Sequence, residues 1–247
     1  MRARGRPANR GRAQRRRLRG DDGAALVEAA LVTPLFFLVV FGLFEFSGMM
    51  SSYSGASHTS RAGARVESAA ANDPMADQQA FARMAVEAAG MGHDEIDVIV
   101  VWHASSTSEA VPSSCLPAST TAPNTSSVGV SDGGVDSVGA CNVYIRPGAP
   151  GGAFQMARGE LAHPPSYYFG CTGAADPDAA HKVDCKWPAM NRKAVTTPRS
   201  VSPPQTPDLL GVYVKATHEN VTGFFGRSIT VTDRTITQLE PQGYKLS

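Results

Sequence analysis

The sequence predicts an α+β protein: a long N-terminal membrane-spanning helix followed by a small antiparallel sheet domain with long disulfide-braced loops. Three observations carry this reading. Residues 24–46 form one apolar run, four short downstream segments read as strands, and three of the four cysteines fall in long irregular stretches while the fourth, Cys141, opens a strand segment. From these follow four regions: 1–23 a basic cytoplasmic leader, 24–46 the transmembrane helix, 47–72 its extracytoplasmic continuation, and 73–247 an extracytoplasmic α+β domain.

The formal net charge of +1 over 247 residues conceals an uneven distribution. Nine arginines, from Arg2 to Arg19, precede Gly20 without an acid among them. The remaining residues hold 14 basic against 22 acidic side chains, a net of −8. Like charges at such density cannot join a core, so the head of the chain is expected to be a solvated, disordered arm. Aromatic content of 7% and charged content of 18%, with 24 Gly and 17 Pro, fit a highly charged cytosolic enzyme poorly.

Behind the arm, the only strongly polar side chains from Ala24 to Phe46 are Glu28, Thr33 and Glu45. As a helix this 23-residue run reaches roughly 34 Å, enough for a hydrocarbon core of about 30 Å. A secretory signal would have a shorter apolar region of about 7–15 residues, although Ser54-Gly55-Ala56 offers a small-residue cleavage site. The arginines set the orientation by the positive-inside rule, leaving the arm in the cytoplasm and exporting the bulk of the chain. Glu45 stands near the outer end, within reach of the headgroups. Glu28, one turn inside the other end, can complement the positive helix N-terminus. Pro34 removes one backbone hydrogen bond and favours a kink that neighbouring helices can tolerate, though ordinary curvature explains it as well.

Gly23-Ala24-Ala25-Leu26-Val27-Glu28 follows the basic leader and opens the apolar helix. It resembles the processing site of type IV prepilins, where a membrane peptidase cuts after the glycine. That resemblance gives Glu28 a second role: pairing with the new ammonium group of Ala24 on a neighbouring subunit. The wider stretch is GAALVEAALVTPLFFLVVFGLFEFSGMM, followed by SHTSRAGARVESAAA. It is similar to the TadE-like family of the tight-adherence (Tad) pilus system. Val27-Glu28, Pro34, Gly42-Leu43-Phe44-Glu45-Phe46 and Arg61-Ala62-Gly63-Ala64-Arg65 carry the resemblance over roughly residues 20–71. Ala29 departs from the aromatic residue common after the glutamate in such pilins. The resemblance implies a non-enzymatic minor pseudopilin with a pilin-like domain, cut after Gly23 and held in the bacterial cytoplasmic membrane. Its implied partners are the prepilin peptidase, other pilin and pseudopilin subunits, and the inner-membrane platform of the secretion machine. Glu28, Pro34, Glu45, Arg61 and Arg65 are the expected assembly and helix-packing residues.

Past the membrane the helix is expected to continue through 51–71, with Ala56, Gly63 and Ala64 suited to close packing and Arg61 and Arg65 spaced i,i+4. Those arginines can lie on a solvated face or meet acidic subunits or lipid headgroups. Asn72-Asp73-Pro74 ends the helix, and Phe81, Met84, Ala85 and Ala88 then mark an amphipathic helix closed by Gly90. Ile96–Trp102, Cys141–Arg146, Gly211–His218 and Ser228–Leu239 read as strands. In the last, Ile229 and Val231 share a parity that Ile236 breaks, which predicts a bend or bulge near Asp233. Residues 104–127 and 147–208 read as long irregular stretches. Four cysteines allow three pairings. The preferred one is Cys115–Cys141 with Cys171–Cys185, since each closes a local loop in an oxidising compartment.

No chemistry-bearing motif emerges. His181 and Cys185 have metal-like i,i+4 spacing, but without a Cys-x-x-Cys the better reading is a disulfide cysteine beside an exposed histidine. The sequence has no phosphate-cradling glycine motif and no Gly-x-Ser-x-Gly elbow. No cofactor or metal is expected. The arm lacks aromatic residues for base stacking, so no nucleic-acid partner is expected and a topology signal is the simpler account. The rival reading is a permanently anchored extracytoplasmic binding module, unrelated to pili, whose Cys-braced loops recognise a ligand.

Overall fold

The computed structural model describes residues 18–92, 95–116, 137–145, 164–173, 175–194, 206–223 and 226–240; for 18–22 only the backbone is described. The arginine arm before Leu18, His93, His163, Arg146, Pro241 and much of the two Pro/Ser-rich stretches lie outside them. The chain forms two units, Met1–Ser47 and Gly48–Ser247. Helix α1, Leu18–Ala70, contributes to both and stays helical through Pro34.

In the first unit the side chains from Gly23 onward are largely exposed around the whole circumference. Leu26 is 71% exposed, Leu35 65% and Phe44 64%. A helix that is apolar on every side has no watery face to prefer and belongs in a nonpolar environment.

The second unit opens with the end of α1. The helix closes at Ala71, which has a left-handed φ of 50° and donates its N–H to the Glu67 carbonyl. Asp73 accepts the Met75 N–H, and α2 follows at Ala76–Glu87. The expected apolar stripe holds: Phe81, Met84, Ala85 and Ala88 are all buried. Each large side chain so buried contributes about 1.5–3 kcal/mol. Gly55 and Gly63 allow α1 to sit close to its own domain, because a Cβ at Gly63 would stand 2.6 Å from Met84 Sδ and one at Gly55 2.8 Å from Met91 Cβ. Together with buried Ala56 and Ala64, these small residues are used inside the domain.

Strands β1 (Ile96–Ala104), β2 (Cys141–Ile145), β3 (Leu209–Glu219) and β4 (Ser228–Gln238) form one antiparallel sheet in the order β2-β1-β3-β4. Each predicted strand is present with small changes at its ends. The predicted bulge near Asp233 is absent. The β3–β4 register runs without a slip from Leu209↔Gln238 to Glu219↔Ser228. Ile236 breaks parity because the sheet is apolar on both faces. Val231 and Ile229 pack with the main core under the helices, whereas Ile236 packs with Trp102, Val98 and Cys141 on the opposite face. The irregularity lies in β1 instead, between Ile96 and Val98, and it turns Ile96 towards the helix side.

Both disulfides have the preferred pairing. Cys115–Cys141 ties a short 3₁₀ turn to β2, and Cys171–Cys185 closes a loop of 14 residues' separation. The stretch 147–208, read from sequence as irregular, supplies Phe169, Val183 and Trp187 to the main core.

Candidate assembly interface

Three surfaces bear on function: the apolar half of α1, the polar clasps holding the rest of α1 to the sheet, and the cationic face it leaves open. In the first unit α1 is long and apolar enough to cross a membrane, with a mean hydropathy of 2.3 in its most apolar window and none of that window buried. Gly23 is exposed with open space around it, and Glu28 is exposed on the same helix. Glu45, also placed by sequence within this run, is buried at 3% exposure.

In the second unit, three serines of α1 spaced eight residues apart, about two turns each, hold the helix to the sheet. Ser52 Oγ donates to Glu95 Oε2 at 2.8 Å and lies 3.1 Å from His218 Nδ1, while that nitrogen also meets Glu95 Oε1 at 2.9 Å. A nucleophilic triad needs the histidine to bridge its two partners through different nitrogens. Here both meet Nδ1, so the trio acts as a clasp between α1, the start of β1 and β3. Ser60 donates to Asp233 and lies 3.0 Å from Thr235 Oγ1 on β4. Ser68 donates to the Gln238 carbonyl at 2.6 Å and its own carbonyl accepts the Glu240 N–H at 3.0 Å.

A buried ionic network fixes the other side. Arg192, on the loop after Cys185, reaches Glu67 of α1 at 2.6 Å and also pairs with Asp77 of α2. Its guanidinium lies 4.5 Å from the Trp187 ring centre, and the His103 ring stacks on the same indole at 5.2 Å. Asp77 also accepts from Tyr144 and from Asn142 Nδ2, the latter at 2.9 Å. Burial pushes the Glu67 carboxyl well above the carboxylate range, and the nearby Asp77 charge adds to that. Asp77 is held below its ordinary value: burial opposes ionisation, but Arg192 and the hydrogen bonds from Tyr144, Arg192 and Asn142 outweigh it. Arg192 thus bridges two carboxyls that their surroundings push in opposite directions, Asp77 towards the ionised form and Glu67 towards the neutral one. Sequence reading missed this network, since Glu67, Asp77 and Arg192 show no spacing that joins them.

Beside the second disulfide, Asp184 accepts N–H bonds from Gly170 at 2.8 Å and Cys171 at 3.1 Å. Cys171, Asp184 and Cys185 present ligand atoms within 4.8 Å of one another. The two sulfurs are bonded to each other, so neither offers the thiolate a zinc site requires. His181 is exposed and lies against the Tyr167 ring at 4.5 Å.

Arg61 and Arg65 both point to solvent from α1. The structure thus separates the sequence-named assembly residues into exposed Glu28, Pro34, Arg61 and Arg65 and buried Glu45.

These features define the class: a protein with, among the described residues, one helix long and apolar enough to span a membrane, and an α+β domain braced by two disulfides. Within it, residues 23–65 match the family model described as TadE-like protein, so this segment is TadE-like. No curated protein and no solved structure matches the chain.

Proposed function

We propose that this chain is a non-enzymatic minor pseudopilin that serves in assembling a tight-adherence pilus for adhesion or secretion. The carrying observation is the TadE-like match over residues 23–65, which begins at the glycine where the prepilin-type cut would fall. The exposed apolar helix supports storage in a bacterial cytoplasmic membrane, with the arginine arm inside and the sheet domain outside. Cleavage after Gly23 frees an ammonium group on Ala24, and the exposed Glu28 four residues on is its natural partner from a neighbouring helix. Such a pair would relieve the desolvation of both charges when helices assemble. The partners of this reading are the prepilin peptidase, other pilin and pseudopilin subunits, and the inner-membrane platform.

Cleavage changes the electrostatics of the working molecule. The leader carries nine arginines and two aspartates, so the mature chain keeps 14 basic against 20 acidic residues, a net of −6. The deciding measurement is the mass and N-terminal sequence of the protein from its native host. A chain beginning at Ala24 is expected. An intact chain in the membrane fraction would point to a plain anchor, and one beginning near Ser57 to a secreted domain.

A further inference from the structure

We propose that Arg61 and Arg65 form a docking site for a carboxylate-bearing segment of a partner protein. The two guanidiniums form a ridge on the exposed side of α1, and a groove runs along each flank. One, of about 290 Å³, lies between α1 and α2 and is edged by His58, Arg83 and Glu87. The other, of about 370 Å³, lies between α1 and β4 and is edged by Thr235, Thr237 and Glu240. Arg61 and Arg65 line both grooves.

The charge balance of the site is what singles it out. Arg83 pairs with Glu87 at 2.5 Å, which accounts for the one acid in the first groove, and the second groove sets one exposed acid, Glu240, against the two arginines. Among the described residues Arg61 and Arg65 make no ion pair, although the unit that carries them is acidic. Residues 48–247 hold 14 basic and 18 acidic side chains, a net of −4. A diffuse field over such a surface repels anions, so an anion that binds must be recognised locally by the ridge. The helical spacing suits this role, because side chains four apart stand on one face and two guanidinium forks can each take a carboxylate.

Helix length decides between a protein carboxylate and a lipid phosphate. The apolar run ends at Phe46, so Arg61 stands fifteen residues beyond it, about 22 Å of helical rise. The headgroup layer outside the hydrocarbon core is only about 5–7 Å thick on each side. The small-residue stripe around Ala56, Gly63 and Ala64 faces inward, so this exposed ridge is the side of α1 left open to a partner. The site deepens the assembly role expected of Arg61 and Arg65, and the binding itself can be tested whether or not the chain serves a pilus.

The test uses the full chain in phosphatidylcholine nanodiscs, titrated with a fluorescent oligo-glutamate peptide at low and at moderate salt. Arg61→Gln with Arg65→Gln should weaken binding by about tenfold or more. Arg227→Gln, on the exposed β3–β4 turn, should leave it unchanged. Because both ridge arginines are exposed and unpaired, the double variant should melt with the parent protein, which separates lost binding from lost folding. Equal binding by the double variant, or an equal loss with Arg227→Gln, overturns the proposal. A second arm follows phenylglyoxal modification of Arg61 and Arg65 by mass spectrometry. Protection by the peptide supports the site. Protection by phosphatidylglycerol nanodiscs without peptide would make a lipid headgroup the occupant and overturn it.

Discussion

Arg192 Nη1 donates to Glu67 Oε2 at 2.6 Å across 125 residues of sequence, and both side chains are fully buried. The contact fastens the disulfide-bearing loop to α1, with Asp77 of α2 on the same guanidinium. Removing one member of a buried ionic group strands the others, at a cost of about 3–5 kcal/mol. Arg192→Met should therefore lower the thermal midpoint of the detergent-solubilised chain sharply. Glu67→Gln should cost much less, on the order of 1 kcal/mol, because burial already holds that carboxyl above the carboxylate range. Asp77→Asn should fall near Arg192→Met. Equal losses for Glu67→Gln and Asp77→Asn would refute this division of charge.

On the opposite face of the sheet, Gly211 makes room for Trp102. A Cβ at position 211 would stand 2.3 Å from Trp102 Cζ2, and the indole is fully buried. The ring cannot retreat without disturbing Val98, Val143 and Ile236 around it. Overpacking of this kind costs about 1–3 kcal/mol or more. Gly211→Ala should lower the melting temperature and alter the near-ultraviolet circular dichroism of tryptophan. An unchanged melt would show that the ring has another place to go.

The elements with strong local signals were legible in the sequence, and those made by distant contacts were not. The apolar run of residues 24–46, the Phe81–Met84–Ala85–Ala88 stripe and the β-branched runs read as strands report on their own neighbours, so local pattern suffices. The parity break at Ile236 is visible in the sequence, but parity alone does not tell a bend or bulge from a strand that is apolar on both faces. Trp102 and Tyr213 on the second face would have shown that both sides are apolar. The same limit applies to the candidate interface. The i,i+4 spacing put Arg61 and Arg65 on one face, but that they stand between two grooves depends on β4 and α2, far along the chain. Trp187 and Arg192 sat in a stretch rich in turn residues, whose role comes from the loop closed by Cys171–Cys185.

That disulfide should matter as a tether. A closed loop of about 15 residues restrains the unfolded chain by about 3 kcal/mol in the chain-entropy account, and the separation here is 14. Cys171→Ser with Cys185→Ser should destabilise the chain by that order. It should also raise amide exchange at Gly170 and Cys171, whose N–H groups bond Asp184. Exchange unchanged at these two amides would mean that Asp184 orders the loop without the disulfide.

Asp184 also sets a pH dependence. Burial first, then the charge of Asp77, push its carboxyl from the ordinary 3.8 up to about 6, against the bonds from Gly170 and Cys171 that favour ionisation. Between those values the folded chain holds a proton that the unfolded chain has released. Stability from this group is therefore complete below about 4 and is lost as pH rises through about 6, a span worth about 3 kcal/mol. Asp77 and Asp208 act in the opposite sense, since their carboxyls are held below the ordinary value and their stabilisation is lost as pH falls into the acid range. Thermal melts of the parent chain and of Asp184→Asn, followed from pH 4 to pH 7, isolate the one group. The gap between them should move in favour of the asparagine variant as pH rises, with most of the change between pH 4 and 6. A constant gap across that window would show that Asp184 is ionised throughout, held by its two backbone donors.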